Sequence, residues 1–148
     1  MPLIRVPIGV DGPVIDLGIW IGRAGAHALV AQGQVVAPSQ TIRALIDTGA
    51  DRTAIHPNAL ALIGSPPAGT IRVRRPGSTT ASRRVNLHDV RLAFGGVAVS
   101  PIRTAWVEIE VAAVVPADPN VLALIGRDML AHCQFVYDGL NGDLLLVY

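Results

Sequence analysis

Asp47-Thr48-Gly49-Ala50 stands directly behind the apolar stretch Ala44-Leu45-Ile46 and ahead of Asp51-Arg52-Thr53. A carboxylate in that setting leaves a buried strand at a glycine-tight turn, where neighbouring backbone N–H groups hold its oxygens in a fixed orientation. One such group is half of a catalyst. Hydrolysis of a peptide bond without a metal or a covalent intermediate needs one carboxylate to activate water and a second to protonate the carbonyl oxygen. The chain has a single Asp-Thr-Gly, so the second carboxylate is expected from a second copy. Asp, Thr and Gly are also ordinary turn formers, and the tripeptide needs support from elsewhere in the chain.

That support is Val121-Leu122-Ala123-Leu124-Ile125-Gly126-Arg127-Asp128-Met129-Leu130, an apolar strand that ends in Gly and runs into a short helical pattern. Together the two segments resemble the retropepsins, the single-domain, homodimeric aspartic proteases of retroviruses and their bacterial relatives. In these a hydrophobic-hydrophobic-Gly strand crosses beside the catalytic loop. The resemblance runs from about Ile42 to Tyr148. It implies that Asp47 is the catalytic aspartate, that the Thr48 hydroxyl bonds across to the partner chain, and that Gly49, with Ala50 beside it, presents backbone to substrate. It further implies that Asp51 receives substrate backbone groups and pairs with Arg127, whose fork suits a carboxylate, with Gly126 and Arg127 as structural support. Asp128 stands where retroviral enzymes often have asparagine, and Arg52 where they vary. The alternative for Arg127 and Asp128 is a capped, solvated helix start.

Two carboxyl groups within hydrogen-bond distance do not both ionise readily, so the expected pair holds one proton between them, and its titration belongs to the pair. The ionised member then takes a proton from water while the protonated member donates to the carbonyl oxygen. Activity at mildly acidic pH follows.

Short β-rich runs separated by Gly and Pro outnumber helical patterns, which points to an all-β, barrel-like fold with one or two short helices. Leu3–Val10, Val14–Ile21 and Leu29–Val36 are expected as opening strands, followed by the catalytic strand Thr41–Ile46. His56–Gly64 reads as a short helix with Pro57 in its first turn, and His56 as a structural residue at its start. Gly69–Arg75 and Thr79–Leu92 read as a hairpin around Pro76-Gly77-Ser78. By the resemblance this hairpin is the flap, with Arg74, Arg75, Pro76, Gly77 and Ser78 facing substrate; a plain surface hairpin is the alternative. Thr104–Val111 alternates as a strand with one wet face, making Glu108 and Glu110 solvated charges rather than an acid/base pair. Phe135–Tyr148 is a closing hairpin turning at Asn141-Gly142. Its last strand, Leu144–Tyr148, either joins a subunit interface or is buried in its own chain.

With 148 residues and 51% hydrophobic composition, the chain is sized for one domain spanning residues 1–148. A net charge of +1 argues against electrostatic capture of nucleic acid or an anionic membrane. The local basic group Arg72, Arg74, Arg75, Arg83 and Arg84 reads as the solvated side of the hairpin, with selection of acidic substrates or of a partner as the alternative. Mean hydropathy is high at +0.46, yet no apolar run approaches the roughly 18 residues of a membrane span. The start lacks the features of a secretory signal, so a cytoplasmic location is expected. Cys133 is the single cysteine and is read as a small core residue, not a nucleophile. His27, His56, His88 and His132 lack zinc-ligand spacing, and no phosphate loop or nucleophile elbow is present; no cofactor or metal is expected. The function indicated is a homodimeric aspartic endopeptidase acting on a polypeptide. The alternative is a non-catalytic peptide-binding or dimerisation module on the same fold.

Overall fold

Period-two alternation decides where the strands lie. In β2 (Val14–Ile21) the side chains of Leu17, Ile19 and Ile21 are fully buried while Asp16 is exposed, and in β3 (Gln40–Ile46) Ile42, Ala44 and Ile46 point inward while Thr41 and Arg43 face out. This is the pattern of strands with one face on a core. The computed structural model describes residues 2–74, 79, 82–97 and 105–148. The remaining strands are β1 (Leu3–Pro7), β4 (Ala54–Ile55), β5 (Gly69–Val73), β6 (Arg83–Phe94), β7 (Val107–Ala113), β8 (Ala123–Ile125), β9 (Gln134–Asp138) and β10 (Asp143–Val147). Short helices α1 (Arg23–Ala31), α2 (Pro57–Leu62) and α3 (Arg127–Leu130) interrupt them. No helix among the described residues is long and apolar enough to cross a membrane.

The larger sheet runs β2-β3-β8-β4-β7-β6-β5, and β6 pairs again with β2, so all its strands except β5 close into a barrel. The long β6 makes this possible. Residues Arg83–Leu87 pair with β5, Leu87–Leu92 with β7 and Val90–Phe94 with β2. Its first part therefore projects with β5 as a two-stranded arm, while its second part is a barrel stave. Leu17, Ile19, Ile55, Leu92, Ile125 and Met129 fill the interior.

The smaller sheet has the order β1-β10-β9, turning at residues 139–142 where Gly142 takes a left-handed φ of 67°. Leu144 and Leu146 of β10 are fully buried in the same core. Because β1 and β9 occupy both edges of β10, the closing strand is covered within its own chain, and its backbone edges are not open to another subunit.

The expected strand Leu29–Val36 is not formed. Arg23–Ala31 is a helix and Gln34–Ser39 carries no regular structure. Ala24, Ala26, Ala28 and Ala31 favour helix strongly enough to outweigh the β-branched Val30. Its end is a glycine stop: Gly33 has φ of 70°, Gly33 N–H donates to Val30 O at 3.0 Å, and Gln34 N–H donates to Leu29 O at 2.9 Å, the double bond of a Schellman turn. At α2 the His56 ring accepts from Asn58 N–H at 3.0 Å, so His56 is a helix cap. Arg75, Pro76, Gly77 and Ser78, the expected flap tip, lie outside the described residues, as does Thr104.

His88 on β6 is buried, with Nδ1 3.1 Å from Ser65 O and 3.3 Å from Ser65 Oγ. Burial lowers its pKa below 6.5, against the opposing pulls of the Ser65 carbonyl and of Asp89. The unfolded chain therefore binds a proton at His88 before the folded one does. Stability from this site is complete above about pH 6.5 and declines as pH falls from there towards the folded-state pKa. A thermal midpoint that drops on acidification below pH 6.5, with a shallower drop in His88→Gln, is the expected result in a fluorescence melt. Parallel curves for the two proteins contradict it.

Candidate active site

The parallel ladder between β3 and β8 matches Ala44 with Ala123, Leu45 with Leu124 and Ile46 with Ile125. One step further, Asp47 N–H donates to Ile125 O at 2.9 Å, so the strand delivers Asp47 at a fixed height. The chain then turns sharply: Ala50 N–H donates to Asp47 O at 3.1 Å, and Gly49 N–H donates to Asp47 Oδ1 at 3.0 Å. The second bond orients the carboxylate and leaves Oδ2 without a hydrogen-bond partner among the described residues. A Cβ on Gly49 would sit 3.2 Å from Asp47 Oδ1, so a side chain there would press on the carboxylate that this turn orients.

After the turn the chain returns as β4, with β8 lying between β3 and β4. The segment following β8 closes the loop from behind. Arg127 N–H donates to Ala50 O at 2.9 Å, Arg127 Nη1 donates to Thr48 O at 3.1 Å, and Arg127 Nη2 donates to Asp51 Oδ1. The expected Asp51–Arg127 pair is thus formed. Both side chains are mostly exposed, and such a pair contributes about 1 kcal/mol or less; what Arg127 supplies is position, by tying together three residues of the turn.

Two further braces come from residues with no site signature of their own in the sequence. Asp128 does more than cap a helix: besides accepting from Met129 N–H at 2.8 Å, its Oδ1 accepts from Thr53 N–H at 2.9 Å and Thr53 Oγ1 at 2.7 Å. Thr53 is fully buried, and Gly126 N–H donates to its Oγ1 at 3.1 Å. Bonds to an ionised acceptor are the stronger kind, and these lock the exit of the loop to α3. Glu110, read as a solvated charge, accepts from Arg52 Nη1 at 2.8 Å, while Glu108 accepts from the Arg23 backbone N–H at 2.6 Å. Asp128 next to a glycine at a helix start was visible in the sequence; that Thr53 lies against it follows only from the barrel.

Beside Asp47 opens a cleft of ≈ 1170 Å³. Gly49, Ala50, Asp51 and Arg74 line it together with Asp47, joined by Ile71, Val73 and Leu124. Thr48, Gly126 and Arg127 stand outside its lining. The Thr48 side chain is exposed in the single chain, and Gly126 lies behind the loop. Among the described residues no three His, Cys, Asp or Glu side chains gather into a metal-binding group. Cys133 is half-buried against the core, donates to Leu130 O at 3.4 Å, and has its thiol pKa raised by burial.

Residues 31–129 match the family model described as aspartyl protease. No curated protein matches the chain. Among solved structures, a retropepsin-like aspartic protease from Rickettsia conorii shares 14% sequence identity with a TM-score of 0.58, over 99% of this chain and 91% of that one. At that identity the likeness speaks for the fold, which is retropepsin-like. The family span includes both the Asp47 turn and the Gly126-Arg127-Asp128 brace, so sequence and fold lead to one assignment: the chain belongs to the aspartyl protease family.

Proposed function

We propose that the protein is a homodimeric aspartic endopeptidase, in which Asp47 from each of two subunits acts on one water molecule. The observation that carries this reading is a single strand-delivered carboxylate, oriented by Gly49, on a cleft large enough for an extended peptide. One carboxylate cannot be both base and acid in the same step. A two-fold partner that brings its own Asp47 within hydrogen-bond distance supplies the missing group, and retention of one proton by the pair divides the roles. The ionised Asp47 takes a proton from water as it attacks the scissile carbonyl, and the protonated one donates to the carbonyl oxygen.

Thr48, exposed beside Asp47, bonds across to the second chain in this reading. Asp51, fixed by Arg127, accepts backbone N–H groups of a peptide held as an extended strand. The β5–β6 arm serves as the flap, closing over the peptide and excluding water. Rate is then lost at high pH, where both carboxyls ionise, and at low pH, where neither does.

Mixed subunits test the reading. If wild-type and Asp47→Asn chains are refolded together in equal amounts, only dimers with two wild-type chains cleave, and roughly one quarter of the all-wild-type activity is expected at the same total protein. Roughly one half, the result for chains that act singly, contradicts the proposal.

A further inference from the structure

Between Asp51 and Asp89 the chain contains no acidic residue, yet it carries Arg52, Arg72, Arg74, Arg75, Arg83 and Arg84. Arg72, Arg74 and Arg83 line the same cleft as Asp47. Of the other charges there, Asp51 is committed to Arg127 and Arg52 to Glu110, which leaves the single Asp47 carboxyl against three arginines. Among the described residues Arg72, Arg74 and Arg83 form no ion pair. The cleft therefore presents guanidinium groups that its own side chains do not balance.

Strand register separates their roles. Arg83 lies opposite Val73, and Val85 opposite Ile71, so Arg83 shares a face with the apolar side chains that border the cleft. Arg72 lies opposite Arg84 on the other face. Like charges directly across a ladder are destabilising, and an anion lying beside them relieves that repulsion. A guanidinium stays charged throughout the working pH range and grips a carboxylate through two parallel N–H···O bonds.

We infer that this cleft selects peptides with an acidic side chain close to the scissile bond, read by Arg83, with Arg72 and Arg74 raising the local concentration of anionic substrate. The inference rests on the proteolytic reading above and names its substrate class. An Asp or Glu of the substrate is ionised above its ordinary pKa of about 4. Preference for it is complete above that pH and fades as pH falls through it. Added salt weakens it as well, since the groups are exposed.

The test uses peptide pairs that differ only in Glu or Gln at each position flanking the cleaved bond. The ratio of kcat/KM within a pair cancels any general loss of activity. For at least one position the wild-type ratio is expected to be about tenfold or more in favour of Glu near pH 6, to fall to about twofold or less in Arg83→Gln, and to recover in part in Arg83→Lys. A second arm measures binding of the same peptides to Asp47→Asn protein by fluorescence anisotropy, with and without Arg83→Gln, where the same ratios are expected. Equal kcat/KM within every wild-type pair overturns the inference and leaves the protease standing, as does a Glu preference untouched by Arg83→Gln. Failure to cleave any peptide counts against the protease, and the binding arm then decides the inference alone: equal affinity for Glu and Gln peptides overturns it.

Discussion

Replacing Asp47 by asparagine is expected to lower kcat/KM by about 10³-fold or more while the fold survives. The substitution preserves shape, and the amide oxygen still accepts from Gly49 N–H, the contact that orients the side chain. Asp47 is only half-buried, so exchanging a carboxylate for an amide there leaves the barrel core untouched. What disappears is the ability to take up or release a proton, and in a homodimer it disappears from both halves of the centre at once. General acid and base catalysis together account for losses of this size. Steady-state kinetics on a cleaved peptide, alongside matched thermal melts, check it. Unchanged cleavage by a well-folded Asp47→Asn protein removes Asp47 from the mechanism.

The second large effect is on stability. Gly126→Ala is expected to cost about 3 kcal/mol, at the upper end for overpacking, and to lower the thermal midpoint by about 10 °C. Gly126 has φ of −88° and ψ of 179°, an extended conformation open to any residue, so the backbone does not demand glycine. Space does. A Cβ there would lie 2.5 Å from the carbonyl carbon of Arg52, and 2.8 Å from both Arg52 O and Thr53 N. These are backbone atoms, which cannot swing aside as a side-chain tip can. Shifting the Arg52–Thr53 peptide would stretch the bonds from Thr53 to Asp128 and from Gly126 to Thr53, and through Arg127 it would disturb Ala50 and Thr48. Activity is thus expected to fall even below the melting transition. Gly139→Ala is the control, since its added Cβ would meet only Tyr137 at 3.7 Å. Equal midpoints for the two variants would show that the brace behind the loop tolerates movement.

Much of this arrangement was legible in the residues themselves. The β-rich runs bounded by Gly and Pro located β2 and β3 nearly to the residue, Asn141-Gly142 marked the closing turn, and Asp47-Thr48-Gly49 with Gly126-Arg127 pointed to the loop and its support. Each of these is a local pattern whose physical cause lies within a few residues. Helix α1 is hidden from a local reading because Leu29-Val30 and Val35-Val36 carry a β signal, whereas the alanines before them and the Gly33 stop carry the helical one.

What could not be read locally depends on topology. Insertion of β8 between β3 and β4 brings Thr53 against Asp128, residues 75 positions apart, and no spacing rule announces that contact. Glu110 looks solvated in the sequence because its partner, Arg52, 58 positions away, is brought beside it only by the pairing of β4 with β7. The basic residues of the arm were visible as a cluster, but the alternation that sets Arg83 apart from Arg72 and Arg84 emerged only with the β5–β6 register. The closing strand likewise had two readings until β1 was found on its free edge.

The separation of the two Asp47 carboxyl groups, measured in a crystal of the protein with a peptide mimic of the tetrahedral state bound, decides whether two subunits share one catalytic proton. Oxygen atoms about 3 Å apart or closer, near enough to share a proton, are the predicted result. Carboxyl groups held farther apart than about 6 Å, or a peptide bound to one chain with its Asp47 alone, would contradict the account.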